Sequence, residues 1–188
     1  MIVDQIEDAI IAAIKAAPLA YRLKAVESYG GELDDELFDI VRALPAIWVT
    51  FAGVQKPQRK SADKWLYRAT FATIVAARNV RSEKATRRGS AGGEPGVYAM
   101  LEDVKKLVTR QDFALPILRL EPGAIRTLYN TKLRGQAMAA FAQEWHTAWI
   151  ERVPPAGEDG TLWLKAGLNY YLKPGDDVAD ASDLVTLA

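Results

Sequence analysis

The sequence predicts an α/β protein of the α+β kind, with a mixed, mostly antiparallel β-sheet flanked by helices, on three observations. Between Ala46 and Ala77, Ile47, Val49 and Phe51 alternate with Trp48 and Thr50, and Trp65, Tyr67, Phe71 and Val75 alternate with Leu66, Arg68, Thr70 and Ile74. That is the period of two that strands require, and the pair reads as the centre of a sheet. Helical stripes precede and follow it, and beyond the last of them the chain returns to extended patterns, one rich in tryptophan. Both faces of the central pair carry large side chains, so the sheet is expected to be covered on both sides.

Taken in order, the chain begins with a helix whose Ile2, Ile6, Ala9, Ile10, Ala13, Ile14 and Ala17 share one stripe. Asp4 and Glu7 sit where a cap and its third-position partner belong, and Pro18 stops the helix. Tyr21 to Glu27 reads as a short strand with Tyr21, Leu23 and Ala25 facing one way, and Gly30-Gly31 turns the chain. Asp34 or Asp35 caps a second helix that buries Leu37, Ile40, Val41 and Leu44 and ends at Pro45. Lys56 to Lys64 is too polar to be buried and connects the two central strands. Arg78 to Pro95 is a longer break, of the kind that is functional or disordered in a compact domain. A third helix over Val97 to Arg110 buries Leu101, Val104, Leu107 and Val108, and its Lys105, Lys106 and Arg110 favour the negative end of the helix dipole.

Pro116 makes Leu115 to Leu120 an edge or irregular segment, Pro122-Gly123 a turn, and Ala124 to Thr131 a strand. Over Ala137 to Glu151, Phe141, Trp145 and Trp149 fit a helical stripe and one strand face alike. A strand is preferred, because a hairpin with the preceding strand gives the tryptophans a sheet to cover. Pro154 to Gly160 marks an edge, so the expected organisation is one domain over 1–153 and an extended C-terminal arm over 154–188. In that arm Leu162, Trp163, Leu164, Leu168, Tyr170, Tyr171 and Leu172 are too apolar for a free tail. Leu184, Val185 and Leu187 can add a strand to an exposed edge.

Composition narrows the function classes. With 49% apolar and 26% charged residues, wholesale disorder is excluded, and 188 residues suffice for a core that buries roughly 70% of the open chain's surface. Cysteine is absent, which removes disulfides, thiolate metal sites and cysteine nucleophiles together. No apolar run reaches the ~18 residues of a membrane span, and Asp4, Glu7 and Asp8 stand where a signal peptide carries positive charge. A soluble, non-secreted protein without a membrane partner is expected. The net charge of zero conceals a segregation: 4 basic and 9 acidic residues over 1–55, 10 and 2 over 56–88, and 10 and 13 over 89–188. Blocks of net −5, +8 and −3 suit nucleic acid at the basic patch, or a second copy whose acidic surface meets it; the plainer reading is that the blocks mix in space on folding.

The candidate sites are weighed against that background. His146, the only histidine, has Glu144 two residues away on the same strand face, an acid/base pair in form, but with no third group or pocket in the sequence to complete it. Ser61 and Lys64 match a Ser-x-x-Lys spacing, yet lie in a strand connection rather than on a helical turn. Gly89, Gly92 and Gly93 lack the Gly-Lys-Ser/Thr of a phosphate loop. The carboxylate runs Asp34, Asp35, Glu36, Asp39 and Asp176, Asp177, Asp180, Asp183 lack calcium-loop spacing, and capping or solvated charge explains them. No catalytic residue, metal or cofactor is expected, and the protein is read as a non-enzyme. The basic stretch with Arg78, Arg81, Lys84, Arg87 and Arg88 is the strongest feature, able to face phosphates without reading sequence; stacking aromatics and a recognition helix are lacking beside it.

The passages IVDQIEDAIIAAIKAA and FDIVRALPAIWVTFAG, with the ending NYYLKPGDD…DLVTL, resemble a Mu-like bacteriophage family encoded between head and tail genes and likened to tail terminator, or tail completion, proteins. The likeness runs over essentially the whole chain and rests on structural motifs. It implies a tail-terminator-like fold and a ring, generally hexameric, that caps the tail tube and joins tail to head. The implied partners are further copies of the chain, tail tube or sheath proteins and head-completion or connector proteins, with DNA passing through the lumen without sequence specificity. The implied place is the tail or neck of a virion assembled in the bacterial cytoplasm, and no family active-site residue exists to carry over. Asp34, Asp35, Glu36 and Asp39 are then expected to meet the basic block of the next subunit, and Arg81, Arg87 and Arg88 to face the lumen or the adjoining ring. A nucleic-acid-binding module using the 78–88 stretch is the alternative.

Overall fold

The structure, a computed structural model, describes residues 1–31, 43–78, 87, 95–128, 138–153, 165–170 and 181–186. Its contacts fall into two units, Met1–Arg152 and Val153–Ala188. In the first, helix α1 (Ile2–Ala16) is followed by β1 (Ala25–Ser28), β2 (Ala46–Val54), the two-residue β3 (Gln58–Arg59), β4 (Lys64–Arg78), helix α2 (Val97–Val108), β5 (Glu121–Thr127) and β6 (Met138–Arg152). The six strands form one mixed sheet in the order β1-β2-β4-β6-β5, with β3 paired to β4. Only β1–β2 is parallel; the other pairs are antiparallel, which makes the fold α+β as expected.

The alternation in the sequence sets the two faces. β4 pairs with β2 on one side and with β6 along its full length on the other, so the stretch read as the centre of the sheet is its centre. Odd-numbered residues of β4 and β6 turn toward the helices: Phe71, Val75, Trp145 and Trp149 join Ile6, Ile10 and Ile14 of α1 and Val97, Met100, Leu101, Val104 and Val108 of α2 in the main core. Burying each of these large side chains is worth about 1.5–3 kcal/mol. Among the described residues aromatic pairs reinforce the face: Tyr67 stacked on Trp149 at 5.7 Å, Phe51 tilted on Phe71 at 5.4 Å and Tyr98 of α2 edge-on to Phe141 at 5.7 Å. Inside it the Trp145 indole N–H donates to Thr73 Oγ1 at 3.1 Å, satisfying a buried donor.

The opposite face is covered differently from the expectation. Both described helices lie on the first face, and what covers the second is a smaller cluster at one end, Leu44, Ala46, Trp48, Ile74, Ala76 and Ala140, with Tyr29, Leu128 and Met138 against it. The other end of that face carries Arg68, Thr70, His146 and Ile150 and lies outside both clusters.

Three element boundaries move. β1 begins at Ala25 rather than Tyr21, and its core-facing residue is Val26; Tyr21 and Leu23 still pack on the main core from non-strand backbone. The N-cap of α1 is Met1, with Asp4 in the third position accepting the Met1 amino group at 3.0 Å, so Asp4 is the partner of the cap rather than the cap. β5 begins at Glu121, and Pro122 and Gly123 lie within it at a bulge between Pro122 and Ile125. An edge strand tolerates the proline because its missing N–H costs no ladder bond on the outer side. The buried Gln143 closes the bulge: its Nε2 donates to the Gly123 carbonyl at 3.1 Å and to the Glu144 carbonyl at 2.9 Å. At a second bulge, between Phe51 and Gly53 on β2, Gly53 takes φ +125°, which a side chain would disfavour.

The strand expected over 137–151 is present as β6, and the segment before β5 is irregular as Pro116 predicted. The second predicted helix, apart from Ala43 and the buried Leu44, lies outside the described residues. In the second unit β7 (Lys165–Tyr170) and β8 (Ala181–Thr186) form an antiparallel pair, so the last strand finds its partner in β7.

Candidate functional site

Of the basic residues singled out in the sequence, Arg78 ends β4 opposite Met138, half-buried, and Arg87 is exposed. Arg81, Lys84 and Arg88, the acidic run Asp34, Asp35, Glu36 and Asp39, the glycines 89–93 and the aspartates 176–180 lie outside the described residues. Upstream in the same basic block, Lys56, Arg59, Lys60 and Arg68 are all exposed, and Arg59 is held by donation from its Nε to the Ser61 carbonyl at 3.0 Å.

The two catalytic spacings are not assembled into catalytic pairs. The Ser61 hydroxyl donates to Asp63 Oδ1 at 2.7 Å, and the bond holds the Asp63 carboxyl below its ordinary range. Glu144 shares a face with His146, but it is ion-paired with Arg126 Nε of β5 at 3.0 Å. His146 Nδ1 instead lies 3.1 Å from Thr70 Oγ1, the residue directly across the β4–β6 ladder. Among the described residues no group of three or more His, Asp or Glu side chains is placed to hold a metal ion.

What surrounds His146 is a cavity that sequence reading missed. It has a volume of about 330 Å³ and opens on the end of the second sheet face that lies outside both clusters. Arg68 and Thr70 of β4 and His146 and Ala148 of β6 form its floor, Gln55 closes one side, and Leu118, Arg119 and Glu121 form the wall. The wall is pinned to the sheet. Leu118 N–H donates to the Ala148 carbonyl at 2.7 Å, Thr147 Oγ1 donates to the Leu118 carbonyl, and the fully buried Leu120 exchanges backbone bonds with Arg110 and Gln111 at 2.8 Å each. Gln55 N–H donates to the Arg68 carbonyl at 2.9 Å. Behind His146, a Cβ on Gly123 would stand 2.3 Å from its Nε2, so the β5 bulge depends on a glycine there. The register pairing Thr70 with His146 was legible in principle; Arg119, on irregular backbone, carried no signal.

A family model described as Bacteriophage Mu, Gp37 matches residues 1–150. The chain belongs to this phage family. The match covers the six-stranded unit almost to its end at Arg152. Membership in the Mu Gp37 family makes the chain a bacteriophage protein and points to a structural part of the particle. No curated protein matches the chain. Among the described residues of this Gp37-family chain, no helix is long and apolar enough to cross a membrane.

Proposed function

We propose that the chain is a tail terminator, or tail completion, protein, structural rather than catalytic. Its copies close into a ring, a hexamer, at the head-proximal end of the phage tail and join tail to head in the virion. The observation that supports this reading is the Mu Gp37 family match over residues 1–150. A closed ring needs two unlike patches on each subunit, and the −5 and +8 blocks of the sequence supply a complementary pair. In this reading the acidic run Asp34, Asp35, Glu36 and Asp39 meets the basic block of the next subunit, while Arg81, Arg87 and Arg88 face the lumen or the adjoining ring. Tail tube or sheath and head-completion or connector proteins are the partners. The engagement of Glu144 by Arg126 favours a structural role over an acid/base one.

The test is a phage carrying Arg87→Glu with Arg88→Glu. Folded protein, with heads and tails accumulating unjoined, is the expected result; normal particles, or a chain that no longer folds, counts against the assignment. The exposure of Lys56, Arg59, Lys60 and Arg87 favours a second reading, DNA contact through phosphates alone. A mobility shift whose affinity falls steeply with salt would support it.

A further inference from the structure

The cavity beside His146 presents more positive charge than its own residues neutralise. Arg68 lines it, and among the described residues no carboxylate pairs with Arg68. Arg119 reaches only a long contact from its Nε to Asp112 Oδ2, 3.8 Å with both side chains largely exposed, which is worth little in water. Glu121 is the single acidic residue of the lining. Thr70 Oγ1 and His146 Nδ1 bond to each other and the Nε2 edge of His146 lies against Gly123, which leaves one lone-pair direction of Thr70 for other contacts and makes the imidazole part of the floor. The rim is apolar and wet: Leu118 is 65% exposed, and Ile150, two residues beyond Ala148 on the same strand face, is 58% exposed. Two guanidinium groups and a hydroxyl inside an apolar rim are the chemistry that grips a carboxylate on a protein surface, where the planar fork of arginine matches the two oxygens.

We propose that this cavity is a carboxylate-binding site, with Arg68 as its principal contact, Arg119 and Thr70 completing it and His146 in its floor, and that a second copy of the chain supplies the carboxylate. Net −5 over residues 1–55 gives each copy a surplus of acidic side chains, and Leu118 and Ile150 would be buried around the inserted group. The carboxylate chemistry stands on the cavity alone; the donor being a second copy rests on the ring reading.

His146 is the only histidine in the 188 residues, so its imidazole signals are a single-site reporter in the full chain. Sodium glutarate, titrated at fixed pH and ionic strength against sodium chloride, is expected to move those signals along a saturating curve. Arg68→Gln should weaken that binding about tenfold or more, as loss of a charge-assisted pair does. Arg59→Gln, on β3 and outside the cavity, should leave it unchanged. A linear drift equal to that of chloride, or an Arg68→Gln curve matching the unmodified chain, overturns the site. Sedimentation of the same samples tests the donor. Glutarate, but not chloride, should shift the chain toward smaller species, and Arg68→Gln should self-associate about tenfold more weakly. Saturation of the cavity with no change in association refutes the second copy as donor while leaving the carboxylate site standing.

Discussion

Two tryptophans of β6 offer a controlled comparison. Trp145 and Trp149 lie four residues apart on the same face of one strand, both in the main core, fully buried and 7% exposed respectively. Trp145 donates to Thr73 Oγ1 at 3.1 Å, whereas the Trp149 indole N–H, equally shielded, has no acceptor among the described residues. Replacing either by phenylalanine removes the same atoms, so the cavity cost, commonly about 1–3 kcal/mol for a change of this size, largely cancels in the difference. What remains is the hydrogen bond. Trp145→Phe forfeits a buried bond worth about 0.5–1.5 kcal/mol net, and Trp149→Phe removes a donor whose unsatisfied burial is itself a penalty. Trp145→Phe should therefore be the more destabilising by about 1–2 kcal/mol, or about 2–4 °C of melting temperature per kcal/mol at this chain length. Urea unfolding followed by far-ultraviolet circular dichroism measures it without relying on the fluorescence of the residues removed. Thr73→Val should cost as much by orphaning the indole N–H, and the double variant Thr73→Val with Trp145→Phe should cost less than the sum. Equal losses for the two tryptophans, or strict additivity in the double variant, would refute the pairing argument.

Other consequences are as direct. Gly123→Ala should destabilise the β5–β6 edge by about 1 kcal/mol through the clash of its Cβ with His146, and His146→Ala should relieve most of it; thermal melts of the single and double variants decide this. Gln143→Leu should cost about 1–3 kcal/mol in a denaturant melt, because the Gly123 carbonyl at the bulge loses its donor. Burial first, then the charge of Asp103, then the bond from Tyr21 Oη to Asp103 Oδ2 at 3.2 Å, raises the Tyr21 phenol well above its ordinary value. Its contribution to stability is complete below a pH of about 10 and is lost as pH rises beyond it, where the unfolded chain ionises and the folded one resists. Tyr21→Phe should flatten the alkaline fall of the unfolding midpoint, and an unchanged alkaline limb would contradict the assignment.

How far the fold was legible follows from the range of each signal. The alternation of Ile47, Val49, Phe51 and of Tyr67, Phe71, Val75 is local and strong, and it placed β4 at the centre of the sheet with the correct residues on each face. The Phe141–Trp145–Trp149 spacing fits both periods, and a partner strand resolved it. Pro122 and Gly123 read as a turn because the device that keeps them in β5, the Gln143 amide, lies 20 residues away. Glu144 and His146 shared a face as the strand reading required. What the sequence did not show is that the Glu144 carboxylate is engaged by Arg126 on the neighbouring strand, in a charge-assisted pair. The cavity was illegible for the same reason, since Arg68 and Arg119 meet only when an irregular segment is pinned to the edge of the sheet.

Negative-stain imaging of the purified chain, alone and with isolated tail tubes, tests the assembly role most directly. Annuli of uniform diameter with an open centre, capping one end of the tubes, are predicted. Particles the size of one subunit at high concentration, with tube ends left bare, would contradict it.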